Sequence, residues 1–207
     1  MKENRAVLFD VDGTIIDALE NQRRVWYAWS AHYGLNPEQV YQVALHTRPV
    51  DTFAAVVPHA DPEQCLALLH HLEDEDARVG IYGAFSGAAE LLAALPERRW
   101  ALVTSNYARR VRIRFARTGL RLPEVIVDAP AAAHGKPHPA PYLLAAHRLG
   151  IPPDACLVIE DTASGVRAGV AAGMTVWAVN TAVPLPGCHR HYSSLEAAAD
   201  DIRGYLG

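Results

Sequence analysis

Ala6-Val7-Leu8-Phe9-Asp10-Val11-Asp12-Gly13-Thr14 opens on four apolar residues and closes on two carboxylates, a glycine and a hydroxyl. An apolar run with no polar alternation fits a strand buried on both faces. The shape recurs along the chain. Trp100-Ala-Leu-Val-Thr104 ends in a hydroxyl, Glu124-Val-Ile-Val-Asp128 in a carboxylate, Cys156-Leu-Val-Ile-Glu160-Asp161 in two carboxylates, and Thr175-Val-Trp-Ala-Val-Asn180 in an amide. Helical patterns lie between these runs. One spans 86–95 and is closed by Pro96; Tyr107 to Thr118 is stopped by Gly119; Pro141 to Leu149 is followed by Gly150; Ser164 to Ala172 ends at Gly173; 194–206 is Ala-rich. Alternating strands and helices predict an α/β fold, a Rossmann-type parallel sheet with helices on both faces. Ligands bind such sheets beyond the carboxyl ends of the strands, where these polar residues stand.

Residues 18–83 break the alternation. They carry helical periodicity at Val25, Trp26, Trp29 and Tyr33, and again at Cys65, Leu66, Leu69 and Leu72, with no convincing strand. The expected organisation is a core of 1–17 and 84–207 with 18–83 inserted as a small helical cap, a lid over the strand ends.

Composition narrows the function. The chain has 207 residues, 50% hydrophobic and 20% charged, long enough to bury a core without staples. No apolar run approaches the roughly 18 residues of a membrane span. The start, Met1 to Arg5, does not read as a signal peptide. Three scattered cysteines form no disulfide framework, which makes the cytoplasm the expected location. A net charge of −4 argues against a nucleic-acid partner, and no membrane partner is expected. Of 19 Lys and Arg residues only Lys2 and Lys136 are lysines. A lysine kept away from the terminus in such a chain points to a role that a planar guanidinium cannot fill.

The strand ends assemble a chemistry. Asp10 and Asp12 lie two apart, Lys136 sits in Gly135-Lys136-Pro137, and Glu160 and Asp161 close a later strand. Carboxylates so crowded repel, so a divalent cation is expected among them, and hard oxygen ligands suit Mg²⁺. Lysine and the Thr104 hydroxyl complete a site for a tetrahedral anion. Asp10 is placed to attack phosphorus and form an aspartyl-phosphate. Lys136 and the cation neutralise the equatorial oxygens. Thr104 Oγ and the N–H groups of Ser105 and Asn106 hold a phosphate oxygen. Asp12 serves as general acid, then base, and Gly13 lets the chain turn out of the strand.

At these residues the chain resembles the haloacid dehalogenase superfamily of phosphohydrolases, with its four motifs in order across the whole chain: Asp10-Val11-Asp12-Gly13-Thr14, Thr104, Lys136 and Glu160-Asp161. The resemblance implies Asp10 as nucleophile, Asp12 as general acid/base, and Asp10, the Asp12 carbonyl and Asp161 as direct Mg²⁺ ligands, with Glu160 acting through water. Dehalogenases of the superfamily lack the second aspartate, so Asp12 points to phosphate chemistry. The insertion resembles the small helical cap of the sugar-phosphatase branch. Gly135-Lys-Pro-His-Pro-Ala-Pro-Tyr-Leu looks like glycerol-3-phosphatase and 2-deoxyglucose-6-phosphatase sequences, and Trp26 to Leu35 like bacterial hexitol and sugar phosphatases. The expected substrate is a small phosphorylated sugar or polyol, its organic part read by the cap, with Arg48 a weak candidate contact and Glu20, Arg24 and Asp51 nearby polar residues. A monomer or weak homodimer is expected.

Other readings fit the same residues. A sugar-phosphate mutase of the β-phosphoglucomutase type is weakened by Gln22, which stands where the branch's mutases carry a histidine. A phosphoglycolate-type phosphatase shares the motifs. A phospho-accepting signalling domain also joins aspartate, Mg²⁺, hydroxyl and lysine, but has no second aspartate and no such cap. Thr104 and Asp161 could simply cap helices. Arginines 109, 110, 112, 114 and 117 read as the solvated face of a helix whose apolar side is Ala108, Val111 and Phe115. Cys188, His189 and His191 lack a fourth ligand at suitable spacing for a soft metal and read as a plain loop, and His70-His71 is read the same way. Gly165, Gly169 and Gly173 read as close helix packing.

Overall fold

The computed structural model describes residues 5–45 and 47–207. Met1 to Asn4, on which the signal-peptide reading mostly rests, lie outside the described residues. In chain order the elements are β1 (Ala6–Phe9), β2 (Ile16–Asp17), α1 (Leu19–His32), α2 (Pro37–Ala44), α3 (Pro49–Val56), α4 (Pro62–Val79), β3 (Gly83–Ala84), α5 (Ala88–Ala94), β4 (Trp100–Val103), α6 (Ala108–Thr118), β5 (Val125–Val127), α7 (Ala140–Leu149), β6 (Cys156–Glu160), α8 (Ala163–Ala171), β7 (Thr175–Ala178), β8 (Arg190–His191) and α9 (Leu195–Leu206). Ala18–Tyr82 forms one compact unit; the segments up to Asp17 and from Gly83 form the other.

The larger unit is built on a six-stranded parallel sheet in the order β5-β4-β1-β6-β7-β8. Every residue of β1 is fully buried, as its unbroken apolar run requires. Val7 pairs with Trp100 on one side and with Leu157 on the other. From β1 the chain builds outward through β4 and β5, then returns to β1's free side and builds outward through β6, β7 and β8. The strand order therefore reverses at β1 and β6, and a crevice opens beyond their carboxyl ends. Asp10 leaves β1 and Glu160 ends β6 at that point.

Three two-residue strands escape sequence patterning. Ile16 pairs with Ala84 and Asp17 with Gly83 in an antiparallel ribbon, so the inserted segment is flanked by strand at Gly83. Arg190 and His191 extend the sheet edge as β8. Two residues are too few to show a period.

Helix boundaries follow local chemistry. Gly119 and Gly150 close α6 and α7 in the left-handed conformation, at φ 68° and 70°. Thr162 caps α8 by accepting from the Gly165 N–H at 3.1 Å, and Ser194 caps α9 by accepting from Ala197 at 3.1 Å. The three glycines of the α8 region differ in role. At Gly169 a Cβ would lie 2.7 Å from Val176 Cγ2, so this is close packing on the sheet. Gly173 has open space around it and instead supplies a positive φ of 74° after the helix, which corrects the packing reading there.

The smaller unit has its own apolar core. Trp29 stacks on Phe53 with ring centroids 5.1 Å apart, and Val25, Val40, Cys65 and Leu69 surround them. Asn36 and Asp61 start α2 and α4 as side-chain caps, each followed by a proline that needs no helical N–H partner. No helix among the described residues is long and apolar enough to cross a membrane.

The tight α8–sheet contact gives a direct test. Gly169→Ala forces a methyl group against Val176 and Val158, and should lower unfolding free energy by about 1–3 kcal/mol in a denaturant titration. An unchanged midpoint would show that the helix can lift off the sheet without cost.

Candidate active site

Lys136 is the hub of the site. Its side chain is buried, and Nζ donates to Asp10 Oδ1 at 2.5 Å, to Glu160 Oε1 at 2.6 Å and to the Val103 carbonyl at 3.0 Å. These use all three ammonium donors. Lys136 comes from the loop before α7, yet it reaches the ends of β1, β4 and β6 at once.

Glu160 is fully buried, and both its oxygens are occupied. Oε1 also accepts from the Tyr142 hydroxyl at 2.8 Å; Oε2 accepts from the N–H groups of Asp161 and Thr162 and from Thr162 Oγ1. The carboxylate fits only because the first turn of α8 carries a glycine beside it: a Cβ on Gly165 would fall 1.6 Å from Oε1. Gly165 therefore makes room for a charged group rather than for the sheet.

Asp161 accepts from Thr14 Oγ1 at 3.1 Å. Gly13, at φ +92°, passes so close that a Cβ there would lie 1.9 Å from Asp161 Oδ2. The turn carrying Asp12, Gly13 and Thr14 is tied down by Asn180, whose amide donates to the Gly13 and Thr14 carbonyls at 2.8 and 3.1 Å. Asn180 itself holds a positive φ of 57°, and its Oδ1 accepts from the Leu195 N–H.

Asp12 has partners of its own. Arg114 Nη1 donates to its Oδ1 at 2.7 Å and Asn106 Nδ2 to its Oδ2 at 3.3 Å. Thr104 Oγ1 accepts from the Asn106 N–H at 3.0 Å, so the hydroxyl keeps its own proton to donate outward. The Asn106 N–H, expected at the anion, is thus engaged within the turn. Helix α6 starts two residues later, its Ala108 N–H satisfied by Asp128. Arg48 lies in the smaller unit, exposed, and pairs with Asp51 at 2.8 Å.

The charges do not balance. Asp10, Glu160 and Asp161 bring carboxylate oxygens within 4.8 Å of one another. Burial acts to strip the Lys136 proton, but the charges of Asp10 and Glu160 outweigh it and hold Lys136 well above its ordinary pKa. Glu160 is held low despite its burial, chiefly by Lys136. Asp161 is pushed up to about 7 by burial first and by the Glu160 charge second. One ammonium among three carboxylates leaves excess negative charge in an oxygen-lined site. That donor set and that imbalance fit a hard divalent cation.

Two arginines correct the reading of α6 as solvated on its basic face. Arg110 and Arg114 are 1% and 5% exposed, one turn apart beside Val111 and Phe115. Their guanidinium groups find acceptors, Asn106 Oδ1 at 3.2 Å for Arg110 and Asp12 for Arg114. A charge is tolerated inside when it is paired, and helical spacing alone cannot reveal the pair. Tyr142 and Asn180 likewise carry no site signal in the sequence. The histidines near β8 are structural: His189 Nδ1 accepts from the Val176 N–H, and His191 Nε2 lies 2.8 Å from the Thr181 carbonyl.

A doubly wound sheet with an acidic, lysine-centred site at its switch point is the framework of a hydrolase class, and comparison identifies which. The family model of haloacid dehalogenase-like hydrolases matches residues 4–173. The chain belongs to that family. It is 39% identical over 188 residues to hexitol phosphatase A of Escherichia coli, covering 88% of this chain and 86% of that protein. It is 32% identical over 197 residues to glycerol-1-phosphate phosphohydrolase 2 of Saccharomyces cerevisiae, covering 87% and 76%. Among solved structures, CbbY from Rhodobacter sphaeroides in complex with phosphate superposes with a TM-score of 0.78 at 23% identity, over 94% of this chain and 96% of that one. A family hydrolase from Deinococcus radiodurans with bound phosphate and sodium gives 0.71 at 29%, over 100% and 99%.

Tyr142→Phe removes a neutral donor from a buried carboxylate and nothing else. It should cost about 1–3 kcal/mol of stability, read as a fall in thermal midpoint. A variant as stable as the parent would mean that Lys136 and the Thr162 groups satisfy Glu160 alone.

Proposed function

We propose that this chain is a Mg²⁺-dependent phosphatase of small phosphorylated sugars or polyols, working through an aspartyl-phosphate on Asp10. The observation that carries this reading is the convergence on Lys136. Asp10, Lys136 and Glu160, from the end of β1, the α7 loop and β6, meet within hydrogen-bond distance, and the carboxylate oxygens of Asp10, Glu160 and Asp161 lie within 4.8 Å of one another. The named activities of the relatives, on hexitol and glycerol phosphates, support the substrate class.

In the first half-reaction an Asp10 oxygen bonds to phosphorus while the ester P–O bond breaks, and Asp12 gives a proton to the leaving oxygen. In the second, water attacks the phosphorus, Asp12 takes its proton, and Asp10 departs as carboxylate. Lys136 keeps Asp10 oriented and supplies positive charge next to the transferring group. The Thr104 hydroxyl and the Ser105 N–H are the groups assigned to a phosphate oxygen. Asp10, Asp161 and the Asp12 carbonyl would hold the cation. Glu160, its oxygens already bonded to protein groups, would act at one remove, through water. The bound cation supplies charge that offsets the negative charge of the phosphoryl group. We place the enzyme in the cytoplasm.

Asp10→Asn should lower phosphate release from hexitol or glycerol phosphates by roughly 10⁴-fold or more. Full retained activity would rule out the covalent route. Recovery of an isomerised sugar phosphate instead of free phosphate would move the assignment to a mutase.

Metal binding should depend on pH. The cation needs Asp161 ionised, and its proton leaves only as pH rises through about 7. Apparent Mg²⁺ affinity in calorimetry should therefore weaken below that pH, by up to about tenfold per unit, with proton release on binding. A flat affinity between about pH 6 and pH 8 would show that Asp161 takes up no proton over that range or does not ligate the cation.

A further inference from the structure

We propose that Arg114 is a positioning residue that fixes the Asp12 carboxylate for proton transfer, with Asn106 as the second arm of the clamp. The inference rests on the reading of Asp12 as general acid/base given above.

The geometry has three parts. Each Asp12 oxygen has a different donor: Arg114 Nη1 at 2.7 Å on Oδ1 and Asn106 Nδ2 at 3.3 Å on Oδ2. A carboxylate gripped at both oxygens from two directions cannot rotate about its terminal bond without losing a contact. The arms are themselves held. Asn106 is fixed by Arg110 Nη1 on its Oδ1 at 3.2 Å and by its own N–H on Thr104 Oγ1 at 3.0 Å. Arg110 and Arg114 ride one turn apart on α6, buried beside Val111 and Phe115, so the rigid helix sets the distance. Burial of two guanidinium groups on one helix is unfavourable unless each has a fixed partner, and the partners are an acid/base carboxylate and the amide that supports it. A helix serving only to cover the sheet would place apolar residues at those two positions.

Arginine suits the task because its guanidinium stays charged and its planar fork has a fixed direction, whereas an ammonium is a point charge on a flexible stem. The clamp also gives Asp12 a cation of its own, whereas Asp10 and Glu160 bond to Lys136.

The consequence is a leaving-group effect. A sugar or glycerol alkoxide needs a proton as it departs; a dinitrophenolate does not. The ratio kcat/KM reports only the steps through departure of the leaving group, so it isolates the acid role of Asp12 from its later role as base.

The experiment compares Arg114→Met, Arg114→Lys and Asp12→Asn on glycerol phosphate and on 2,4-dinitrophenyl phosphate, with Mg²⁺ present. Arg114→Met should lower kcat/KM for glycerol phosphate by about 10²-fold and for dinitrophenyl phosphate by less than about tenfold. Arg114→Lys, which keeps charge and folding, should recover part of the lost glycerol phosphate activity without restoring it. In an Asp12→Asn background Arg114→Met should add no further selective loss. Equal losses on both substrates, no loss, or a gain from Arg114→Met overturns the clamp. If Arg114→Met does not fold, full parental glycerol phosphate activity in Arg114→Lys overturns it. The outcomes separate the two levels of argument. Intact glycerol phosphate turnover in Asp12→Asn sinks the acid/base reading itself, and the clamp with it. A dead Asp12→Asn beside an unaffected Arg114→Met sinks the clamp alone.

Discussion

Three carboxylates share one buried ammonium where the parallel sheet reverses its strand order, and much of the surrounding structure answers to that crowding. An ionised carboxylate taken out of water without a partner costs several kcal/mol. Lys136 offsets Asp10 and Glu160 directly and leaves Asp161 with a hydroxyl from Thr14. The rise of Asp161 to about 7 is the mark of that shortage. The local backbone is arranged to permit the crowding. Gly13 and Gly165 sit where a Cβ would overlap Asp161 or Glu160, so two of the three carboxylates occupy space that any other residue would fill. Hydrogen bonds from Tyr142, Thr162 and Asn180 fix orientations that charge alone would leave loose.

Topology explains why residues so distant in sequence meet. β1 is sandwiched between β4 and β6, so the segments that follow these three strands leave side by side. Asp10, Thr104 and Glu160 each occur at the first position where its strand ends or has just ended. Residues before that point are needed inside the sheet and are apolar; residues after it are free to carry chemistry. The boundary between burial and function is a single peptide unit on each strand, which is why the pleated register of β1 against both neighbours matters to the site.

The same boundary governs what could be read without coordinates. Strands buried on both faces leave unbroken apolar runs, so the five longer strands of the sheet and their polar ends are legible in the letters. The two-residue strands at Ile16, Gly83 and Arg190 were not, since nothing periodic can be seen in two positions. The glycines were visible but not their reasons: Gly165 and Gly169 are four apart on one helix, yet one accommodates a carboxylate and the other a pair of valines. The burial of Arg110 and Arg114 escapes the sequence for a physical reason. Helical spacing tells which residues share a face, but a charged residue on a buried face is betrayed only by its partner. Asp12, the partner of Arg114, comes from another segment 102 residues away, and Asn106, the partner of Arg110, lies in the turn just before the helix. Tyr142 and Asn180 were hidden likewise, because a tyrosine in a helix and an asparagine after a strand are ordinary until the atom they touch is known.

Two kinds of cation are used within one site, and the division is itself informative. Asp10 and Glu160 face a lysine, a compact ammonium with three donors that can be directed to three strands at once. Asp12 faces an arginine, which grips from one side along a fixed direction. Exchanging the two would fail both ways: a planar guanidinium has no geometry for three converging acceptors, and an ammonium would hold Asp12 without orienting it. Separate partners also keep the proton-handling carboxylate from competing for the charge that the cation-binding carboxylates require. A chain that otherwise uses arginine keeps its only described lysine where a point charge is required. It buries Arg110 and Arg114 where direction matters.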